Sequence, residues 1–396
     1  MPSFTVRLLR RLCLLLSALV LAACVRPRTP TPPSSWPGVT ATPLPPAPTA
    51  TVLAATPAPA AESPTPDALA RAVDAYLAAE AAAGRFSGVV LVGRQGHIAF
   101  EAGYGYANQA AGMPNTPQTR FCIGSVTKPF TAAAVLQLQE RGKLRLSDPI
   151  AAYLPDCPPA WRAITIEQLL MHTAGLADYF YLPGFGAMAN QTLAPSELVA
   201  MFRNQPLGCT PGERFSYSNS GYILLGQIIE QVSGESYGRY ISDNILQPAG
   251  MASTTYGRSL DTAGTATGYA IAWKPALQID VSLAYAAGGL YSTIEDLYRW
   301  EQALGRPGLL SQTSLDALLQ PRVKVPTRKD WYYGYGWFVR SRDGVPEVFH
   351  PGLLYGYSAH IARYPTEGLT IIMLSNLEEA PLADYVDWIA GQVLGG

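Results

Sequence analysis

Ser125-Val126-Thr127-Lys128 sets a hydroxyl and an amine three residues apart, immediately before the apolar run Phe130 to Arg141, which reads as a helix stopped by Gly142. It is the one Ser-x-x-Lys in the chain. At i and i+3 of a first helical turn the two side chains share a face. An amine in that position lowers the cost of deprotonating the serine for nucleophilic attack. Unpaired N–H groups and the positive dipole end of the helix favour negative charge there, first as alkoxide and then as oxyanion. Taken alone, the pair also fits an N-cap serine followed by a surface lysine.

A second element is the polar turn Phe215-Ser216-Tyr217-Ser218-Asn219-Ser220-Gly221, which opens a helical stretch over Tyr222–Val232. It offers a phenol and a carboxamide two residues apart. A tyrosine whose pKa is lowered by a nearby ammonium can serve as a general base, and an amide can hold a substrate carbonyl. The similar Tyr106-Ala107-Asn108 lies before Ser125 and reads as a strand-end turn. The third element is His350-Pro351-Gly352-Leu353, next to Tyr355-Gly356-Tyr357-Ser358 on a strand. Gly352 lets a substrate backbone approach the strand edge, and the Leu353 N–H could complete an oxyanion hole with the N–H of Ser125. His350 offers polarity or positive charge to a substrate carboxylate, or makes one structural hydrogen bond at the strand edge.

Positioning these groups requires a scaffold. Leu69, Val73, Tyr76 and Leu77 recur at helical spacing up to Gly84, and Gly88–Val92 reads as a strand with a hairpin partner at His97–Phe100 across Arg94-Gln95-Gly96. The region 143–285 carries helical segments at Ile166–Met171 and Glu197–Arg203 between irregular loops. Strands return at Tyr335–Arg340, Tyr357–Tyr364 and Leu369–Leu374, and Leu382–Leu394 closes the body as a helix. An α+β body follows: one antiparallel sheet built from both ends of the domain and flanked by helices, with a mainly helical lobe inserted.

The order Ser125-x-x-Lys128, Tyr217-x-Asn219, His350-x-Gly352 resembles the serine β-lactamase and penicillin-binding-protein superfamily. The branch is that of class C β-lactamases, related D-alanyl-D-alanine carboxypeptidases and their esterase relatives. Gly103–Asn108, Phe121–Lys128, Leu169–Leu176 and Gly288–Ser292 read the same way, so the likeness spans 67–396. It implies the β-lactamase/transpeptidase-like fold and an acyl-enzyme on Ser125, with Lys128 and Tyr217 sharing the base and acid roles. The N–H groups of Ser125 and Leu353 would hold the oxyanion, and Asn219 would orient the substrate amide. The implied substrate is a D-amino-acid peptide, amide or ester, with a β-lactam, a carboxylic ester or a non-turnover penicillin-binding sensor as alternatives. His350 stands where class C β-lactamases carry lysine, a departure that argues against strong β-lactamase activity. His172 reads as structural, and Cys122 as a small core residue.

Composition limits the rest. The 396 residues are 48% hydrophobic and 14% charged, with net charge −1. Residues 1–66 hold Arg7, Arg10, Arg11, Arg26 and Arg28 against Glu62, so the remainder carries −5. A mildly acidic body argues against nucleic acid as partner. Four isolated histidines and no Cys-x-x-Cys argue against a metal centre, and no cofactor is expected. The oligomeric state is left open. Arg7, Arg10 and Arg11 precede the apolar run Leu12–Leu21, about half the ~20 residues of a membrane span. Leu21-Ala22-Ala23-Cys24 resembles a bacterial lipobox. That likeness implies removal of residues 1–23, lipidation of Cys24, and a membrane-anchored or secreted extracytoplasmic protein facing peptidoglycan-like or small-molecule substrates. Residues 24–66, rich in Pro, Thr and Ala, read as a disordered tether that cannot offset its ordering entropy by burial.

Overall fold

The computed structural model describes residues 66–257, 264–270, 273–306 and 308–395. The signal-like stretch, Cys24 and the tether up to residue 65 lie outside the described residues. Pro66 opens the first helix.

Eight strands form one antiparallel sheet drawn from the two ends of the body. They are β1 (Gly88–Arg94), β2 (His97–Tyr104), β3 (Val323–Lys324), β4 (Trp331–Tyr333), β5 (Phe338–Arg342), β6 (Val345–Leu354), β7 (Tyr357–Tyr364) and β8 (Leu369–Ser375). Their spatial order is β2-β1-β8-β7-β6-β5-β4-β3, so the first hairpin of the body docks on its last strand, with Val90 opposite Met373. The expected α+β architecture is the observed one. Strands β1, β7 and β8 are buried along nearly their whole length, which is why they read as continuous apolar runs rather than alternating ones.

Both faces of the sheet are covered. Helix α1 (Pro66–Ala82) brings Leu69, Val73 and Leu77 to one face. There they meet Val90, Val92, Ile371 and Met373. Helix α2 (Lys128–Glu140), helix α3 (Asn219–Ser233) and helix α4 (Ile294–Leu304) build the larger core on the other face with Val89, Leu91, Ile372 and Leu374. Helix α5 (Leu382–Leu394) joins α1 through Tyr385, Val386 and Ile389. Each such apolar side chain, fully buried, stabilises the fold by roughly 1.5–3 kcal/mol. A one-residue slip of β1 would exchange the two sets of side chains between the faces, so the register is strongly specified.

Buried charge in this scaffold is paired. Arg363 on β7 donates to Glu301 on α4 at 2.9 Å. Arg340 on β5 donates to fully buried Glu347 on β6 at 2.6 and 3.1 Å.

The middle of the chain is short helices, at Ile166–Leu170, Pro195–Phe202 and Tyr237–Ile241, together with 3-10 turns and α3. Two boundaries differ from the sequence reading. The strand expected at Tyr335–Arg340 begins only at Phe338, because Gly336 adopts a left-handed φ of 78° that lets the chain turn against the backbone of Lys128. Helix α3 begins at Asn219 rather than Tyr222, since the small polar residues that read as a turn are already its first turn.

Candidate active site

The short strand Phe121–Cys122 pairs with Leu290–Ser292 and delivers the chain into a 3-10 turn, Gly124–Thr127, that runs straight into α2. In a 3-10 turn residues i and i+3 nearly eclipse. The Ser-x-x-Lys spacing is therefore read by a tighter helix than the α-helical turn expected from sequence, and the two side chains are brought closer. Lys128 Nζ donates to Ser125 Oγ at 2.9 Å. It also donates to Asn219 Oδ1 at 2.8 Å and to the Ala287 carbonyl at 2.8 Å. Tyr217, on the loop entering α3, donates its phenol to Ser125 Oγ at 3.0 Å. Lys128 is fully buried, whereas Ser125 retains exposed surface.

The electrostatics separate the two protonatable groups. Burial brings the Lys128 amine down to about 7, with the charge of Asp178 acting in the opposite direction. Burial pushes the Tyr217 phenol well above its usual value despite its hydrogen bond to Ser125. The expectation of a tyrosine acidified by the neighbouring ammonium is thus overturned. The amine lies 5.0 Å from the centre of the Tyr217 ring, yet desolvation is the largest influence on the phenol.

The third segment passes close by on β6. A β-carbon on Gly352 would stand 2.1 Å from the Ile123 carbonyl, and one on Gly124 would stand 2.9 Å from the backbone N and O of Leu353. Both positions exclude any side chain, and Gly124 also has a positive φ of 49°. Strand β5 pairs with β6 only as far as Phe349, so residues 350–354 have no β5 partner and present an open edge beside the Ser125 turn.

His350 is not where a carboxylate could use its charge. It is buried, its Nδ1 meets the Pro351 carbonyl at 2.7 Å, and its Nε2 meets the Tyr333 hydroxyl at 3.1 Å. Burial, helped by the charge of Lys128, lowers it to about 3, so the ring is neutral. The Tyr333 hydroxyl also meets His172 Nε2 at 3.2 Å, and the Ser218 N–H donates to His172 Nδ1 at 3.2 Å. An N–H at one end and a carbonyl at the other fix both tautomers: Ser218 donates to His172, His172 to Tyr333, Tyr333 to His350, and His350 to Pro351. His172, with a positive φ of 57°, is a buried link between the Tyr217 loop and β6.

Three participants escaped sequence reasoning. Asp178 accepts from the backbone N–H of Asn219 at 3.2 Å and from its side-chain amide at 2.9 Å. It follows the His172-Thr173-Ala174-Gly175-Leu176 segment, whose resemblance was the available signal. Tyr333 lies in the aromatic run Tyr332-Tyr333-Gly334-Tyr335-Gly336-Trp337, where nothing in the sequence marks one phenol as a partner of the site. The Ala287 carbonyl had no side-chain signal at all. A Gly-x-Ser-x-Gly sequence at Gly234–Gly238 forms no nucleophile elbow. It follows a helix rather than a strand, and Ser236 caps the next helix by accepting from the Arg239 N–H at 3.4 Å.

Asn108 accepts from the Ala111 N–H, and the strand carrying Tyr106-Ala107-Asn108 takes no part in these contacts. The Cys122 thiol is buried and pushed up to about 12, which makes it a poor nucleophile. Cys157 and Cys209 are separate free thiols. Among the described residues no helix is long and apolar enough to cross a membrane.

Comparison with known proteins gives a consistent result. A family model described as Beta-lactamase matches residues 29–394. A penicillin-binding protein of Bacillus subtilis (strain 168) is 32% identical over 321 residues, 74% of this chain and 69% of the relative. The crystal structure of a penicillin binding protein from Bacillus halodurans, 32% identical, superposes with a TM-score of 0.72 over 81% of this chain and 99% of its own. A D-stereospecific amidohydrolase from Streptomyces sp., 27% identical, superposes with a TM-score of 0.69 over 84% of this chain and 100% of its own.

Proposed function

The chain belongs to the Beta-lactamase family, and we propose that it is a serine hydrolase that forms an acyl-enzyme on Ser125 from a D-amino-acid peptide, amide or ester. The observation that carries this reading is the setting of the Lys128 amine. As a neutral amine it has two hydrogens and one lone pair. The carbonyls of Asn219 and Ala287, each 2.8 Å away, take the two hydrogens and leave the lone pair to the Ser125 hydroxyl. A base that titrates near pH 7 suits that task.

In the proposed cycle Ser125 Oγ bonds to the substrate carbonyl carbon and passes its proton to Lys128. The developing oxyanion is held by the N–H groups of Ser125 and Leu353. Tyr217, which burial keeps protonated, gives its proton to the departing amine or alkoxide, and the Lys128 ammonium restores it. Water, deprotonated by Lys128, then bonds to the acyl carbon, the bond to Ser125 Oγ breaks, and the Lys128 ammonium returns the proton to Oγ. Asn219 has one amide hydrogen beyond its bond to Asp178 with which to meet a substrate carbonyl. The open edge of β6 supplies backbone groups for an extended substrate.

His350, neutral and bonded on both nitrogens, brings no positive charge to a substrate carboxylate. This favours amides and esters over a free C-terminal carboxylate, and the name of the Streptomyces neighbour agrees with an amide. Lipidation at Cys24 and a tether over 24–66 would hold this activity at the cell envelope, within reach of peptidoglycan-like substrates.

The test is intact-mass spectrometry after incubation with a fluorophosphonate, a penicillin and a D-Ala-D-Ala peptide or its amide, beside the Ser125→Ala variant. The expected result is a fluorophosphonate adduct absent from Ser125→Ala, with turnover of the peptide amide ahead of the free peptide. Equal labelling of Ser125→Ala would overturn the assignment. A penicillin adduct that never releases would favour a sensor.

A further inference from the structure

We propose that Asp178 is a positioning residue for the nucleophile, acting through the Asn219 carboxamide to hold the Lys128 amine toward Ser125. This rests on the reading of Lys128 as the base. Asp178 begins the 3-10 turn Tyr179–Tyr181, and its Oδ1 accepts the Phe180 N–H at 3.1 Å. Its Oδ2 accepts both the backbone N–H and the side-chain N–H of Asn219. Three N–H donors meet one carboxylate, so every contact is one that a carboxylate satisfies and an amide satisfies only in part.

The consequence falls on Asn219. A carboxamide can sit in either of two flipped orientations, and only one presents oxygen to Lys128. With its NH2 drawn to Asp178, Asn219 must turn Oδ1 toward Nζ, where it lies at 2.8 Å. Without that anchor the amide is free to turn a donor toward the amine, and one of the two acceptors that orient the lone pair is lost. Asp178 also places a negative charge near Lys128, which favours the ammonium. The other titratable groups around the amine are Tyr217, Tyr222, His172 and His350. Burial holds both phenols protonated and both rings neutral. Burial also raises the Asp178 carboxyl, while its bonds from Phe180 and Asn219 and the charge of Lys128 favour the carboxylate, so Asp178 is the facing group that brings a formal charge.

Geometry and charge can be separated with two variants. Asp178→Asn keeps an oxygen for Asn219 while removing the charge. Asp178→Ala removes both. The measurement is the rate of fluorophosphonate labelling of Ser125 against pH for the full chain and both variants, with the thermal midpoint of each recorded. For Asp178→Asn the rate plateau should stay within about tenfold, and the acid limb should move to lower pH by about one unit, because the ammonium has lost its counter-charge. For Asp178→Ala the plateau should fall roughly 10- to 100-fold, the scale of a misoriented catalytic group. Lower thermal midpoints with wild-type plateau and limb in both variants would make Asp178 merely structural and overturn the proposal. A wild-type chain that labels nowhere, or labels equally without Ser125, would instead overturn the functional reading on which it rests.

Discussion

Lys128 and Arg363 are both buried cations, and their surroundings differ in kind. Arg363 meets the Glu301 carboxylate directly, as Arg340 meets Glu347. Burial alone would lower the Arg340 pKa, and the bonds and charges of Glu347 and Asp387 together outweigh it and raise it. Lys128 meets three neutral oxygens, and its nearest carboxylate, Asp178, is separated from it by the Asn219 amide. The difference teaches what each region is for. Between the sheet and its helix a charge is permanent, and the fold compensates it with its opposite. On the proposed reading the charge at the Ser125 turn comes and goes, and the fold offers acceptors that suit an amine with or without its third proton. Residue choice follows the same division, because a guanidinium does not lose its proton in a protein and an amine does.

The most damaging way to break this contrast is Lys128→Arg, which brings the cation of the scaffold into the site. Labelling of Ser125 by fluorophosphonate should fall by on the order of 10³-fold at every pH, the scale of a lost general base. Labelling that persists within tenfold would mean that charge alone, not proton transfer, is what position 128 supplies. A smaller perturbation sharpens the other side. Glu301→Gln leaves Arg363 without its carboxylate and should cost about 3 kcal/mol in denaturant unfolding. Labelling per folded molecule should stay within about twofold, as expected of a substitution away from the site. Were labelling to fall more steeply than stability, the pair would belong to the site rather than to the scaffold.

Much of this was legible in the sequence. The apolar runs of β1 and β8 and the span of α5 follow from burial on nearly every side, a property written into composition alone. Ser125, Lys128, Tyr217 and Asn219 stood out as polar groups ahead of helices, and they join in a chain of hydrogen bonds from Tyr217 through Ser125 and Lys128 to Asn219. What was not legible depends on partners distant in sequence. The neutrality of His350 comes from burial, helped by the charge of Lys128, and neither is announced by its neighbours in sequence. The raised pKa of Tyr217 reverses the expectation drawn from an adjacent ammonium, because sequence reveals which charges are near and not how much water is displaced. Asp178 is one more carboxylate in the sequence, and it acquires a role only when the start of α3 folds over it.

The proposed chemistry requires a lysine that is neutral when Ser125 reacts, and the pH dependence of Ser125 labelling in the wild-type chain tests that most directly. The rate should climb about tenfold per pH unit in acid and level off above a midpoint of about 7, the value to which burial brings the Lys128 amine. A rate still rising through pH ~10, the range of an ordinary lysine, or one indifferent to pH, would contradict it.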